Sequence, residues 1–163
     1  MAAAGLDPTR VVQVPIDFDR QSLAEALAQS GFDRCLRSVV IWEGVTNYLT
    51  AEAVDAVLRW ASGLAPGSML AFTYVDAAVL RDPGAFEGAR KMMAAVARRG
   101  EAWTYGIDPE DLPSRLRALG LELVEDLGAD DYRSRYWRGA PAGWHGYAFY
   151  RAALALVPPR AAA

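Results

Sequence analysis

Apolar runs alternate along this 163-residue chain with segments whose apolar residues recur at helical spacing. The clearest strand-like runs are residues 38–42 (SVVIW) and 69–75 (MLAFTYV). Between them, Val54 and Leu58 belong to an apolar stripe that follows a potential helix cap at Thr50. Such alternation is typical of βαβ units around a parallel sheet. The sequence therefore predicts an α/β fold of the doubly wound type, with residues 38–42 buried on both faces.

The remaining elements are assigned from the same periodicities and from glycine and proline punctuation. The other expected strands are residues 11–16, 121–127 and 147–156, and the other expected helices are residues 22–29, 86–99 and a segment that starts at Asp108-Pro109. Neither a linker nor an internal repeat is visible, so residues 1–163 are expected to form a single domain. Within it, residues 1–10 resemble the end of an upstream helix, although a short unfolded leader is the alternative. Residues 158–163 are expected to be a frayed tail.

Composition narrows the range of partners. The formal net charge is −3 and the pI is about 5.2, so no strong positive field favours nucleic acid or an anionic membrane. Cys35 is the only cysteine, which excludes an internal disulfide and a multi-cysteine metal cluster. No metal site is expected. No bilayer-spanning apolar run and no secretion signal are present, so a cytoplasmic location is expected.

Three expected strands end in acids, at Asp17, Glu43 and Asp76. In open parallel sheets, ligands bind beyond the carboxyl ends of the strands. Carboxylates there can accept hydrogen bonds from ribose hydroxyls or an adenine amino group, or face a cationic ligand. We expect Asp76 to cap the next helix or to face water, and Asp17 and Glu43 to face a ligand.

Residues 14–18 (VPIDF) and 42–50 (WEGVTNYLT) resemble the S-adenosylmethionine-dependent methyltransferases related to leucine carboxyl methyltransferase. Downstream, residues 103–109 (WTYGIDP), 119–121 (LGL) and 124–128 (VEDLG) resemble later blocks of the same family. Together these blocks extend the resemblance over nearly the whole chain.

The resemblance implies a Rossmann-like, class I methyltransferase sheet of seven strands, of which this chain carries the third to the seventh. It also implies S-adenosyl-L-methionine as the cofactor, with Asp17 at the adenine amino group and Phe18 beside the adenine. Glu43, with Gly44, would face the methionine part. The family's glycine-rich first loop and the acid after its second strand are absent. The chain is therefore expected to be the carboxyl-terminal part of a methyltransferase domain that lacks the first two strands, with an incomplete cofactor site.

The resemblance further implies methyl transfer to a carboxylate or hydroxyl of a small molecule. A carboxylate acceptor needs no general base, whereas a hydroxyl acceptor would need one, and His145 is the only histidine. Tyr48, Trp103 and Tyr105 are candidate substrate contacts, with core packing as the alternative. A cluster that could hold an acidic substrate, but that more simply forms a solvated helix, comprises Tyr132, Arg133, Arg135, Tyr136, Trp137 and Arg138.

Two other function classes stay open at this point. The missing glycine loop allows a non-catalytic remnant or assembly module that keeps the fold without binding cofactor, and self-association would then be expected. A nicotinamide-dependent oxidoreductase fits less well, because no glycine loop is present to hold a pyrophosphate.

Overall fold

A computed structural model describes residues 11–16, 20–137, 139 and 146–159. Its elements in chain order are α1 (Leu23–Gln29), β1 (Val39–Trp42), α2 (Ala51–Ser62), β2 (Met69–Val75), α3 (Ala77–Arg81), α4 (Ala89–Ala97), α5 (Leu112–Ala118), β3 (Glu122–Leu127), α6 (Ala129–Tyr136) and β4 (Tyr150–Leu156). Short 3-10 turns lie at Thr46–Tyr48 and Pro83–Ala85. None of the helices in these described ranges is long and apolar enough to cross a bilayer.

The four described strands form one sheet in the order β1-β2-β4-β3. β1 and β2 are parallel, whereas β4 runs antiparallel to both β2 and β3. The α/β fold class is confirmed, but the sheet is mixed rather than parallel throughout. An apolar run buried on both faces looks the same in either direction, so the sequence pattern could not assign the direction of β4.

Two apolar clusters pack on opposite faces of the sheet. On one face, side chains of α2 and α5 cover alternate residues of β2, and Leu58, Leu116 and Phe72 are at most 2% exposed. On the other face, near the end of β2, Val75 belongs to a second cluster that also contains Val79, Ala89, Trp103 and Phe149. Full burial of one such side chain stabilises the fold by about 1.5–3 kcal/mol.

β1 is an edge strand with one uncovered face. Val40 and Trp42 pack against the first cluster, whereas Val39 is 70% exposed and Ile41 is 75% exposed. The expectation that this strand is buried on both faces is therefore wrong. β1 pairs with β2, and no described element covers the side that carries Val39 and Ile41.

Residues 11–16 were expected to form a strand and do not. They lie outside every ladder of the described sheet, and Val12 is 70% exposed. A β-prone segment becomes a strand only where a neighbour supplies hydrogen bonds, and Pro15 has no N–H to contribute. The expected third strand is thus not formed.

Helix starts depend on local capping. The Thr50 hydroxyl accepts the Ala53 N–H at 3.2 Å, which confirms the cap of α2. The expected start at Asp108-Pro109 is wrong, because α5 begins at Leu112. Asp108 Oδ1 instead accepts the Glu110 N–H at 3.3 Å and closes a turn before the helix.

The expected helix over residues 86–99 is shorter in the structure, where α4 spans Ala89–Ala97. It begins after Gly88, whose φ is 74°. A residue in the left-handed region is not helical, so Gly88 sets the amino-terminal limit of α4.

Candidate functional site

β1, β2 and β3 end on the same side of the sheet, which we call the carboxyl edge. Glu43 follows β1 and Asp76 follows β2. The Asp76 carboxylate accepts the Ala78 N–H at 2.8 Å and caps α3, as expected. Because it is engaged in capping, Asp76 is not a candidate ligand at this edge, whereas Glu43 remains one.

Glu43 and Gly44 form the turn that leaves β1. Glu43 is exposed, and its carboxylate has no hydrogen bond or ion pair to the part of the chain that the structure describes. Gly44 has a φ of 72°, and no atom lies within 4 Å of the position where a Cβ would stand. Its left-handed backbone rather than crowding therefore requires glycine. The Gly44 N–H donates to Thr73 Oγ1 of β2 at 2.7 Å.

The residues after this turn are buried and bonded to neighbouring segments. Thr46 is 1% exposed, and its hydroxyl donates to the Thr73 carbonyl at 2.9 Å. Asn47 is 5% exposed, and its carbonyl accepts the Thr104 N–H at 2.9 Å. The Thr104 hydroxyl donates to the Leu49 carbonyl at 3.0 Å. We call residues 43–50 the edge loop; these bonds attach it to β2 and to residues 103–107.

Residues 103–107 run alongside the end of β2. The Ile107 N–H donates to the Val75 carbonyl, and the Ile107 carbonyl accepts the Ala77 N–H, both at 3.0 Å. A Cβ on Gly106 would lie 2.7 Å from the Ala77 Cα, so this approach is possible only for glycine. The carboxyl edge is therefore built from the edge loop, the end of β2 and residues 103–107.

The three expected substrate contacts occupy different surroundings. Tyr48 is 38% exposed, whereas Trp103 is 8% exposed and packs in the second cluster. Tyr105 packs against the first cluster, with the Arg115 guanidinium 5.5 Å from its ring centroid. Burial raises the pKa of the Tyr105 phenol. Trp103 Nε1 and the Tyr105 hydroxyl are buried donors without a hydrogen-bond partner among the described residues. The structure thus places both rings near the edge but in separate clusters.

An aromatic cluster of Trp103 with Phe149 and Tyr150 was not predicted from the sequence. The Trp103 ring centroid lies 5.6 Å from those of both Phe149 and Tyr150. Burial raises the pKa of the Tyr150 phenol, and the nearby phenols of Tyr48 and Tyr147 raise it further. Tyr150 pairs with Val75, which places this group at the carboxyl edge. The available signal is the run YAFY at residues 147–150, which periodicity alone assigns to a strand.

Four of the expected residues, Asp17, Phe18, Arg138 and His145, lie outside the described residues.

In the arginine-rich segment, Arg135 of α6 forms an ion pair with Glu125, and Tyr136 is 66% exposed. These features are those of a solvated helix, which was the simpler of the two expectations.

Two surface cavities lie among the described residues, and neither is lined by the edge loop. One of about 440 Å³ lies at the opposite edge, between the start of β3 and Pro158. A second of about 300 Å³ is open and is lined by Phe86, Arg90 and Lys91 among others. Neither includes Glu43, so the candidate site is defined by the edge loop and not by a cavity.

The edge loop lies in a part of the chain that matches a known protein family. The leucine carboxyl methyltransferase family matches residues 1–62, which include Glu43 and Gly44. A protein of Mycolicibacterium paratuberculosis named "Putative S-adenosyl-L-methionine-dependent methyltransferase" is 34% identical over 145 residues, which cover 82% of this chain and 45% of that protein. A similarly named protein of Bacillus subtilis is 25% identical over 125 residues, 76% of this chain and 41% of that one. The chain thus spans a little under half the length of these relatives.

Among solved structures, a DUF574 family protein from Streptomyces avermitilis superimposes with a TM-score of 0.51 at 18% identity. The superposition covers 77% of this chain and 46% of that protein. At this identity the likeness supports the fold alone. The fold is α/β and Rossmann-like, of the class I methyltransferase type.

Proposed function

The chain is related to the leucine carboxyl methyltransferase family, and we propose that it acts as an S-adenosylmethionine-dependent O-methyltransferase. The observation that carries the proposal is the exposed Glu43 carboxylate at the end of β1. It stands on a glycine turn at the carboxyl edge, inside the segment that matches the family. Open α/β sheets bind their ligands at this edge.

The residues present fit the cofactor. S-adenosylmethionine carries an ammonium and a sulfonium, and a carboxylate is the side chain that attracts both. Glu43 has no competing cation among the residues described, and the space beside Gly44 is open. We propose that Glu43 and Gly44 hold the methionine part, and that Asp17 and Phe18 hold the adenine.

When bound, the cofactor supplies a methyl group that its sulfonium has already activated. The protein therefore has mainly to orient the two reactants and exclude water. A carboxylate acceptor is ionised at neutral pH, so no general base is required. We propose that Tyr48, Trp103 and Tyr105 contact the acceptor. In support, Trp103 Nε1 and the Tyr105 hydroxyl are buried donors without partners among the described residues.

Calorimetric titration with S-adenosylhomocysteine tests the proposal. Because the glycine-rich first loop is absent from the sequence, weak but saturable binding is expected. Glu43→Gln should weaken this binding about tenfold or more, because the ligand ammonium loses its charged partner. Glu122→Gln is the matched control, since Glu122 is an exposed glutamate at the start of β3, on the opposite edge. Equal affinity in native and Glu43→Gln proteins, or no binding to the folded native chain, would contradict the proposed site.

A further inference from the structure

Thr73 contacts the edge loop twice. Its side-chain Oγ1 accepts the Gly44 N–H at 2.7 Å, and its backbone carbonyl accepts the Thr46 hydroxyl at 2.9 Å. The two bonds lie on either side of Val45. One residue of β2 therefore joins both halves of the turn that follows Glu43.

The register of the sheet explains why this contact involves a side chain. β1 and β2 pair from Val39 with Met69 to Trp42 with Phe72, so the ladder ends one residue before Thr73. The chain turns away from β2 at Gly44, and the Thr73 hydroxyl takes the place of the backbone acceptor that another ladder pair would have supplied. Threonine is β-branched and suits a strand, and it also carries an acceptor.

Within the described ranges, Thr73 is the only side chain that forms a hydrogen bond to Glu43 or Gly44. Glu43 has no hydrogen bond or ion pair there, and nothing packs within 4 Å of the Gly44 Cβ position. The left-handed φ of Gly44 is accessible to glycine but not preferred over other conformations. The bond from the Gly44 N–H to the Thr73 hydroxyl is therefore the described side-chain contact that acts directly on the backbone next to Glu43, and with it on the direction of the Glu43 side chain.

We infer that Thr73 is a positioning residue of the cofactor site: through the Gly44 N–H it holds the Glu43 carboxylate where the ammonium of the cofactor binds. The inference rests on the proposed function. Thr73 itself need not touch the cofactor, and its effect passes through the turn.

Thr73→Val tests the inference, because valine keeps the shape and removes the hydroxyl. The bond from Thr46 to the backbone carbonyl stays available, so a single hydrogen bond is deleted. Amide exchange of Gly44, followed by NMR without ligand, should be slow in the native chain and in Thr73→Ser, and about tenfold faster in Thr73→Val. Affinity for S-adenosylhomocysteine should fall about tenfold in Thr73→Val and be restored in Thr73→Ser.

Unchanged Gly44 exchange or native affinity in Thr73→Val overturns the inference. If Thr73→Val fails to fold, Thr73→Ala is compared with Thr73→Ser in the same two measurements. Failure of the proposed function gives a different result, because Glu43→Gln then has the same affinity for S-adenosylhomocysteine as the native chain. The amide exchange of Gly44 is measured without ligand, so it tests the contact with Thr73 independently of cofactor binding. Affinity lost in Glu43→Gln but kept in Thr73→Val would overturn the positioning role and leave the proposed function standing.

Discussion

The Tyr74 hydroxyl donates to Asp126 Oδ2 at 2.8 Å, across the strand that separates them in the sheet. Arg151 on that middle strand donates from Nε to the Tyr74 hydroxyl at 3.0 Å and from Nη2 to Asp126 Oδ2 at 2.8 Å. Tyr74 is only 1% exposed. The buried hydroxyl and the partly buried ion pair are stable here because the three side chains form hydrogen bonds to one another. The network therefore links the three neighbouring strands β2, β4 and β3 through their side chains.

Tyr74→Phe is expected to lower the free energy of unfolding by about 1–2 kcal/mol, because the hydroxyl's two hydrogen bonds, to Asp126 and from Arg151, are lost while the ring is kept. Urea unfolding followed by circular dichroism measures it. Tyr136→Phe is the control, since Tyr136 is 66% exposed and should change stability by less than about 0.5 kcal/mol. Equal effects at the two positions would contradict a stabilising network.

Stability should fall at alkaline pH, and Tyr74 should contribute to the loss. Burial raises the pKa of the Tyr74 phenol, and the hydrogen bond to the Asp126 carboxylate raises that pKa further. Because its pKa is higher in the folded than in the unfolded state, the protonated Tyr74 phenol stabilises the fold. This stabilisation is complete below the unfolded pKa of about 10 and is lost as pH rises above that value. Tyr74→Phe should therefore lose less stability than the native chain between neutral pH and about pH 11. Parallel pH profiles of the two proteins would count against this assignment.

Gly106→Ala is expected to destabilise the carboxyl edge by about 1–3 kcal/mol, because the new Cβ would lie 2.7 Å from the backbone of Ala77. Residues 103–107 would have to move away from the end of β2. The expected local sign is faster amide exchange at Ile107, whose N–H donates to the Val75 carbonyl. An unchanged melting temperature together with unchanged exchange at Ile107 would refute the close approach.

Shortening an apolar side chain to alanine should destabilise the protein less at Ile41 of β1 than at Leu70 of β2. Ile41 is 75% exposed, so Ile41→Ala should cost less than about 1 kcal/mol. Leu70 is 1% exposed in the first cluster, so Leu70→Ala should cost about 2–5 kcal/mol. Chemical denaturation of both variants provides the comparison. A cost at Ile41 as large as that at Leu70 would show that another surface covers this face of β1 in solution.

Local patterns account for what the sequence predicted correctly. The cap at Thr50, the apolar stripe of α2 and the apolar run of β2 each depend on residues within one segment, so periodicity and capping chemistry suffice to place them. The role of Asp76 follows from the same local chemistry. Helix boundaries were less accurate because a turn such as that at Asp108 competes with the helix for the same N–H groups.

The α/β class, most of the elements and the position of Glu43 at the end of a strand could be predicted from the sequence, because each is encoded within a few residues. The pairing of the strands could not be predicted in this way: residues 11–16 lie outside the described sheet, and one face of β1 is exposed. The same holds for the contact of Gly44 with Thr73, 29 positions along the chain, and for that of Tyr74 with Asp126, 52 positions along the chain. Contacts over such separations depend on the packing of the whole sheet, and no local pattern of residues specifies them.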